Sequence, residues 1–346
     1  MKTRIFLAAL LILGNGEGAS YSQNLAGIVA SGATLVKITG DLAFTHADAP
    51  CWDNGVLLFA DNDTESPEEG TIYRMASDGT VTAIRKNNGI ATAIKPSGKG
   101  TYYCCEFEGR RVVEIDRDGT IIRVVADTFD GKRFDGPNDL VVDAKGAIYF
   151  SDARRPTDNQ NALTRSAVYY VKPDGQVIRV TGNIFFPSGI SLSPDGSLMY
   201  VANTYGDDVL QLVYVFDINP DGTLSNMRRF CELNLSITNE SLAQTYAGLR
   251  CPCSELTTGS THYIATSGAD GCAVDASGNL YVATNQGIGV QVFDPTGRYL
   301  GNINAGAAIT GCSFGGMDMM TLYVTAQEGV YAIRTEIPGI RIALAD

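Results

Sequence analysis

The oxygen chemistry of this chain is concentrated at matched places in a repeated phrase. These are Asp48, the stretch 87–91, Asn138 with Asp139, Ser188, Asp270 and Thr310. Carboxylate, amide and hydroxyl oxygens brought to one point suit a hard cation such as Ca2+ or Mg2+. Carboxylates crowded together without such a charge would repel and raise one another's pKa. The competing reading is that these residues cap strand ends and bind water. Other chemistries lack their residues: there is no phosphate-binding loop, HExxH or GxGxxG pattern. The run Asp61–Glu65 begins like a calcium loop, but Ser66 stands where that loop requires Gly, so it reads as a solvated loop. With only two histidines, His46 and His262, a His-rich zinc site has little support. His46 either approaches the oxygen cluster through Asp48 or sits at the surface; His262 either faces the site or faces solvent. Trp52, the only tryptophan, reads as core. The consecutive Cys104 and Cys105 point to opposite faces of a strand, which puts one of them inside unless they form a vicinal disulfide.

The elements that must position these oxygens are legible as repeats. An apolar strand, a turn with Gly, and an aromatic-rich strand ending in a small or acidic residue recur six times. Examples are NDLVVDAKGAIYFSD (138–152), PSGISLSPDGSLMYVAN (187–203) and DGCAVDASGNLYVAT (270–284). A hairpin around x-D-G or P-x-G follows each of the first five copies, as in VVEIDRDGTIIRV (112–124), because Gly supplies the positive φ of the turn. Four strands per 40 to 50 residues is the length of a propeller blade, so the expected fold is an all-β six-bladed propeller. The strand-like ATLVKI (33–38) is expected to complete the last blade and close the ring, removing an exposed edge. The openings of the phrases then face one central funnel. Phrase starts near Asp48, Ala91, Asn138 and Ser188 lie 43 to 50 residues apart, but the interval from Ser188 to Asp270 is 82 residues. The excess, about 236–263, reads either as a lid over the funnel that carries His262 or as a surface loop.

Composition bounds the rest. The chain has 346 residues, 45% hydrophobic, with 38 Gly and a formal charge of −12. That leaves no basic footprint for nucleic acid. The start, Lys2 and Arg4 followed by IFLAALLIL and the small residues Gly18–Ser20, reads as a signal peptide over 1–20. The expected product is a secreted or periplasmic protein with no membrane span, a single propeller over 21–346, and a monomer. Export permits disulfides among the eight cysteines, with Cys231 to Cys251 or Cys253 the first expectation. Sequons at Asn62, Asn234 and Asn239 mark expected surface loops.

Three longer stretches, GKRFDGPNDLVVDAKGAIYFSD, FPSGISLSPDGSLMYVANT and GADGCAVDASGNLYVATNQGIGVQVFDPTGRYLG, resemble the gluconolactonase family, which includes senescence marker protein and the luciferin-regenerating enzyme. The resemblance runs from about Phe44 to Arg334. It implies a six-bladed propeller holding one divalent cation, Ca2+ first and Mg2+, Mn2+ or Zn2+ as alternatives, that hydrolyses a sugar lactone or related ester. Matched residue by residue, it implies metal ligands at Asp48, Asn138, Ser188 and Asp270. Asp270 and Asn138 would be the catalytic pair, and Asp139 with His262 would lie at the substrate or lid. The chain departs from the family's pattern where Asp48 stands for Glu, Ser188 for Asn and Phe107 for the His of its CEH phrase. The alternative readings are a non-catalytic binding propeller that has lost the full metal site, or a relative of the strictosidine-synthase or arylesterase propellers.

Overall fold

Four-stranded antiparallel sheets repeat around an axis in the computed structural model, which describes residues 25–63, 70–153, 166–204, 212–233, 268–285 and 289–341. Blade 1 comprises Ala47–Asp53, Val56–Asp61, Thr71–Met75 and Val81–Lys86. Blade 2 comprises Ala91–Pro96, Tyr102–Glu106, Arg111–Ile115 and Ile121–Ala126. Blades 3, 4 and 5 begin with Pro137–Val142, Pro187–Leu192 and Ala269–Val274. Blade 6, Ile309–Gly315, Thr321–Ala326 and Gly329–Arg334, takes its fourth strand from the other end of the chain, with Val36 paired to Ala332 and Lys37 to Tyr331. The ring is therefore closed by an N-terminal strand, as the alternation in ATLVKI predicts.

Each blade turns polar from axis to rim. Second strands such as Ile148–Asp152 are buried throughout, whereas the outer strand Val81–Lys86 is half-buried to exposed. The hairpins between them are built by aspartates that accept from their own turn. The Asp116 carboxylate takes the amides of Asp118 and Thr120, and Gly119 follows at φ 82°. The core is not one mass but six clusters, one between each pair of neighbouring blades. A blade is thus covered on both faces, and this corrects the expectation for the paired cysteines. Cys104 lies in the cluster between blades 1 and 2, Cys105 in the one between blades 2 and 3, and both are buried free thiols.

The six described cysteines carry no bridge, Cys231 included; Cys251 and Cys253 lie outside the described residues. So do residues 1–20, the segment 236–263 with His262, and the sequons at Asn234 and Asn239. Asn62 is described and is no surface acceptor: it is 1% exposed and its amide donates to the Ala91 carbonyl at 2.9 Å. Trp52 is half-buried and stacks on Tyr323. Among the described residues no helix is long and apolar enough to cross a membrane.

Candidate functional site at the propeller axis

All six inner strands share one irregularity. At its start each carries one more residue than the strand it pairs with: between Asp48 and Cys51, Ala91 and Ala93, Pro137 and Leu140, Pro187 and Ile190, Ala269 and Cys272, Ile309 and Gly311. A bulge re-aims side chains that regular pairing would place on the blade's faces. The residues it re-aims here are those at which the oxygens cluster: Asp48–Ala49, Thr92, Asn138–Asp139, Ser188–Gly189, Asp270–Gly271 and Thr310.

These inner strands approach so closely that glycines at three bulges stand against a neighbouring blade. A Cβ on Gly189 would lie 2.1 Å from the Asp270 carbonyl oxygen, one on Gly271 2.9 Å from the Gly311 Cα, and one on Gly311 3.0 Å from Pro50. Gly189→Ala therefore forces the Asp270 backbone outward. It is expected to cost about 1–3 kcal/mol of stability and to lower the thermal unfolding midpoint followed by circular dichroism. An unchanged midpoint would refute the close approach.

Around the bulges, side chains of one blade donate to carbonyls of the next. The Asn62 amide reaches Ala91 O, Thr92 Oγ1 reaches Pro137 O at 3.2 Å, and Ser151 Oγ reaches Ser188 O at 2.6 Å. Thr204 Oγ1 reaches Ala269 O and Thr310 Oγ1 reaches Ala47 O, both at 2.7 Å. Such bonds satisfy buried backbone groups that would otherwise be left without partners. They also decide where Ser188 sits. Its hydroxyl, 1% exposed, lies within 3.3 Å of Ala269 O and 3.5 Å of Asp270 Oδ1 and bonds Thr204. It stands behind Asp270 and is not among the residues bordering the cavity.

That cavity has a volume of about 350 Å3 and is bordered by Asp48, Asn138, Asp139, Asp270 and Thr310. His46 borders it too, as do Lys95, Phe107 and Phe186. A second cavity of about 350 Å3 opens along the same strands past Trp52, Leu192 and Phe314, and Lys95, Cys272 and Cys312 border both. The structure thus brings four of the sequence-expected residues, Asp48, Asn138, Asp139 and Asp270, to one cavity.

The three carboxylates differ in how they are held. Asp139 accepts the amides of Leu140 (2.8 Å) and, across the blade boundary, Ile190 (2.9 Å). The Lys95 ammonium stands 4.0 Å from its Oδ1. Asp270 accepts from Asn285 Nδ2 at 2.7 Å, and Asp48 from the next amide, Ala49, at 2.7 Å. Burial pushes the Asp270 carboxyl up to about 7, with Asp139 adding to the rise and the Asn285 amide opposing it. Burial, then the charges of Asp270 and Asp139, drive Asp48 well above the usual carboxylate range. Burial also raises Asp139, against the pull of Lys95. Burial lowers His46, against the nearby Asp61, and so favours a neutral imidazole.

Carboxylates that resist ionisation in this way are the environment a divalent cation relieves. The Asp48 and Asp270 carboxylates with the Asn138 amide make a hard-oxygen set that fits such an ion. Among the described residues no three His, Cys, Asp or Glu side chains form a metal-holding group, so the amide and solvent would have to complete the shell. Two bordering residues escaped the sequence reading. Lys95 was visible only as a cation inside the apolar inner strand 91–96. Phe186 reads as one of a loop pair with Phe185.

The family described as SMP-30/Gluconolactonase/LRE-like region matches residues 46–328. A gluconolactonase of Zymomonas mobilis is 26% identical over 347 residues, covering 94% of this chain and 87% of that protein. The solved structure of a gluconolactonase from Xanthomonas campestris superposes with a TM-score of 0.71 at 23% identity, covering 91% of this chain and 93% of that one. A regucalcin from Agrobacterium tumefaciens, described as a calcium-binding protein, superposes with a TM-score of 0.62 at 16% identity, covering 88% and 97%. These likenesses in structure establish the six-bladed fold.

Proposed function

This chain belongs to the SMP-30/gluconolactonase/LRE-like family, and from that premise we propose that its axial cavity hydrolyses a lactone or related ester with the help of one divalent cation. The observation that carries the reading is the meeting of the buried carboxylates Asp48 and Asp270 with the Asn138 amide at the end of one cavity. The gluconolactonase relative and the calcium-binding regucalcin support the substrate class and the ion. Asp48, Asn138 and Asp270 would hold the cation, Ca2+ in the first instance. Bound there, it supplies Lewis-acid polarisation of the ester carbonyl.

The chain's own residues do the rest. Asp270 takes a proton from the water that attacks the carbonyl carbon and returns it to the ring oxygen as the acyl C–O bond breaks, giving the hydroxy acid. Asn138 presents both a donor and an acceptor and orients the substrate. Asp139, held by two amides, fixes the Lys95 ammonium at the floor of the site. We further propose that the chain is exported, as its first 20 residues suggest.

The test is hydrolysis of five- and six-membered lactones and aryl esters. Turnover is expected with Ca2+, lost with EDTA and restored by re-addition of the ion. Failure across the panel with metal present favours a binding propeller instead. One observation supports that second reading: the Ser188 hydroxyl is committed to Thr204 and the Ala269 carbonyl.

A further inference from the structure

One side of the axial cavity is apolar. Ile90, Phe107 and Phe186 border it and pack together with Ala153 in a cluster separate from the inter-blade cores. Phe185, next to Phe186 in the chain, is 54% exposed. The acidic residues Asp48, Asp139 and Asp270 border the same cavity, so a bound molecule meets both characters at once.

The backbone at Ile90 indicates that this wall is built rather than incidental. Ile90 has φ 58°, a left-handed conformation that β-branched residues almost never adopt. A chain of buried amides holds it there. Asn88 Oδ1 accepts the Ile90 amide at 2.9 Å, Asn88 Nδ2 donates to Asn62 Oδ1 at 3.1 Å, and Asn62 Nδ2 donates to Ala91 O at 2.9 Å. Asn62 and Asn88 are 1% and 0% exposed. Glycine would take this φ without strain, as Gly89 does beside it at 66°. An isoleucine there puts an apolar side chain at the cavity edge. The Ile90 carbonyl also accepts the Phe107 amide at 2.9 Å, which ties the two side chains to one piece of backbone. Gly136 leaves room for the ring, since a Cβ there would stand 2.5 Å from Phe107 Cε2.

We infer that the ester taken by this site carries an alkyl or aryl substituent that packs on Ile90, Phe107 and Phe186, so that the preferred substrate is an alkyl- or aryl-bearing lactone rather than a polyhydroxylated one. The inference rests on the lactonase reading above and names its substrate class. A polyol ring would place hydroxyls against a wall that offers them no partner and leaves them poorly solvated.

The experiment compares kcat/KM for δ-valerolactone, its δ-alkyl homologues from methyl to hexyl, and glucono-1,5-lactone. The expected result is a rise of roughly fourfold for each methylene that is buried, with the longer homologues above gluconolactone. Ile90→Gly, which relieves the strained φ, and Phe186→Ala, at the half-buried member, are each expected to flatten the rise with chain length. A flat or falling series in the wild type, or a preference for gluconolactone, overturns the inference while leaving the lactonase reading intact. If no lactone is turned over, the lactonase reading fails. The wall is then judged by calorimetry with the corresponding alkyl δ-lactams, which resist hydrolysis. Affinity rising with chain length and lost in the two variants supports it, and no binding overturns it.

Discussion

Asp270→Asn is expected to reduce lactone turnover by on the order of 10³-fold, the scale of a lost general base, while leaving the propeller folded. The substitution is nearly isosteric and keeps Asn285 and Ser188 as neighbours. It removes both the proton acceptor and one of the two charges offered to the cation. Its effect on stability has the opposite sign. The Asp270 carboxyl is raised to about 7 by burial, well above its unfolded value near 4. The folded state therefore holds its proton over that window, and stability falls as pH rises from about 4 through 7. Asparagine cannot ionise and escapes that loss. In EDTA at pH 8 the variant should unfold at a temperature equal to or above that of the wild type. Activity within tenfold of the wild type would remove Asp270 from the mechanism. A folded, inactive variant that melts clearly earlier at pH 8 would mean that its charge stabilises the site.

The second large effect is an exchange of cation for proton. A carboxylate must be deprotonated to bind a metal. With Asp270 titrating near 7 and Asp48 displaced in the same direction, the metal-free site is partly protonated at neutral pH. Ca2+ affinity is expected to drop by at least about tenfold between pH 8 and pH 6, with protons released on binding. Calorimetry in two buffers of different ionisation enthalpy counts those protons. A Ca2+ affinity independent of pH over this range would place the ion elsewhere. Asp139, held by two backbone amides with the Lys95 ammonium 4.0 Å away, is not among the proposed ligands of the ion.

The sequence carried the architecture because its signals are local. Asp-Gly and Pro-x-Gly hairpins recur at blade spacing, and the Val36–Lys37 pairing follows from alternation that any edge strand would show. The site was legible to the extent that bulges happen to fall on the first polar residue of each phrase, as at Asp48, Asn138 and Asp270. The rest depends on distances between chains remote in sequence. Ser188 carries nothing that says its hydroxyl will bond Thr204 rather than line the cavity. Asn62 stands in a sequon, but the amide chain through Asn88 holds it inside. His46 borders the cavity from just before the first strand, where its amide donates to Asp61 Oδ1 at 2.8 Å, a contact that leaves no mark in composition. Lys95 is one lysine in an apolar strand, and only the folded chain places it at the border of two cavities.

Ring closure by Val36 and Lys37 also sets a timetable for making the protein. Lys37 must wait for Tyr331, 294 residues later. At ribosomal rates of about 5–20 residues per second, that is roughly 15 to 60 s during which the first blade has no sixth neighbour. Throughout that interval Leu57, Phe59 and Met75, which end up packed against Val330, face an open side of a partial ring. Val36 and Lys37, made early, are therefore among the last residues to be paired. Until Val36 and Lys37 pair, those apolar faces are open to other chains.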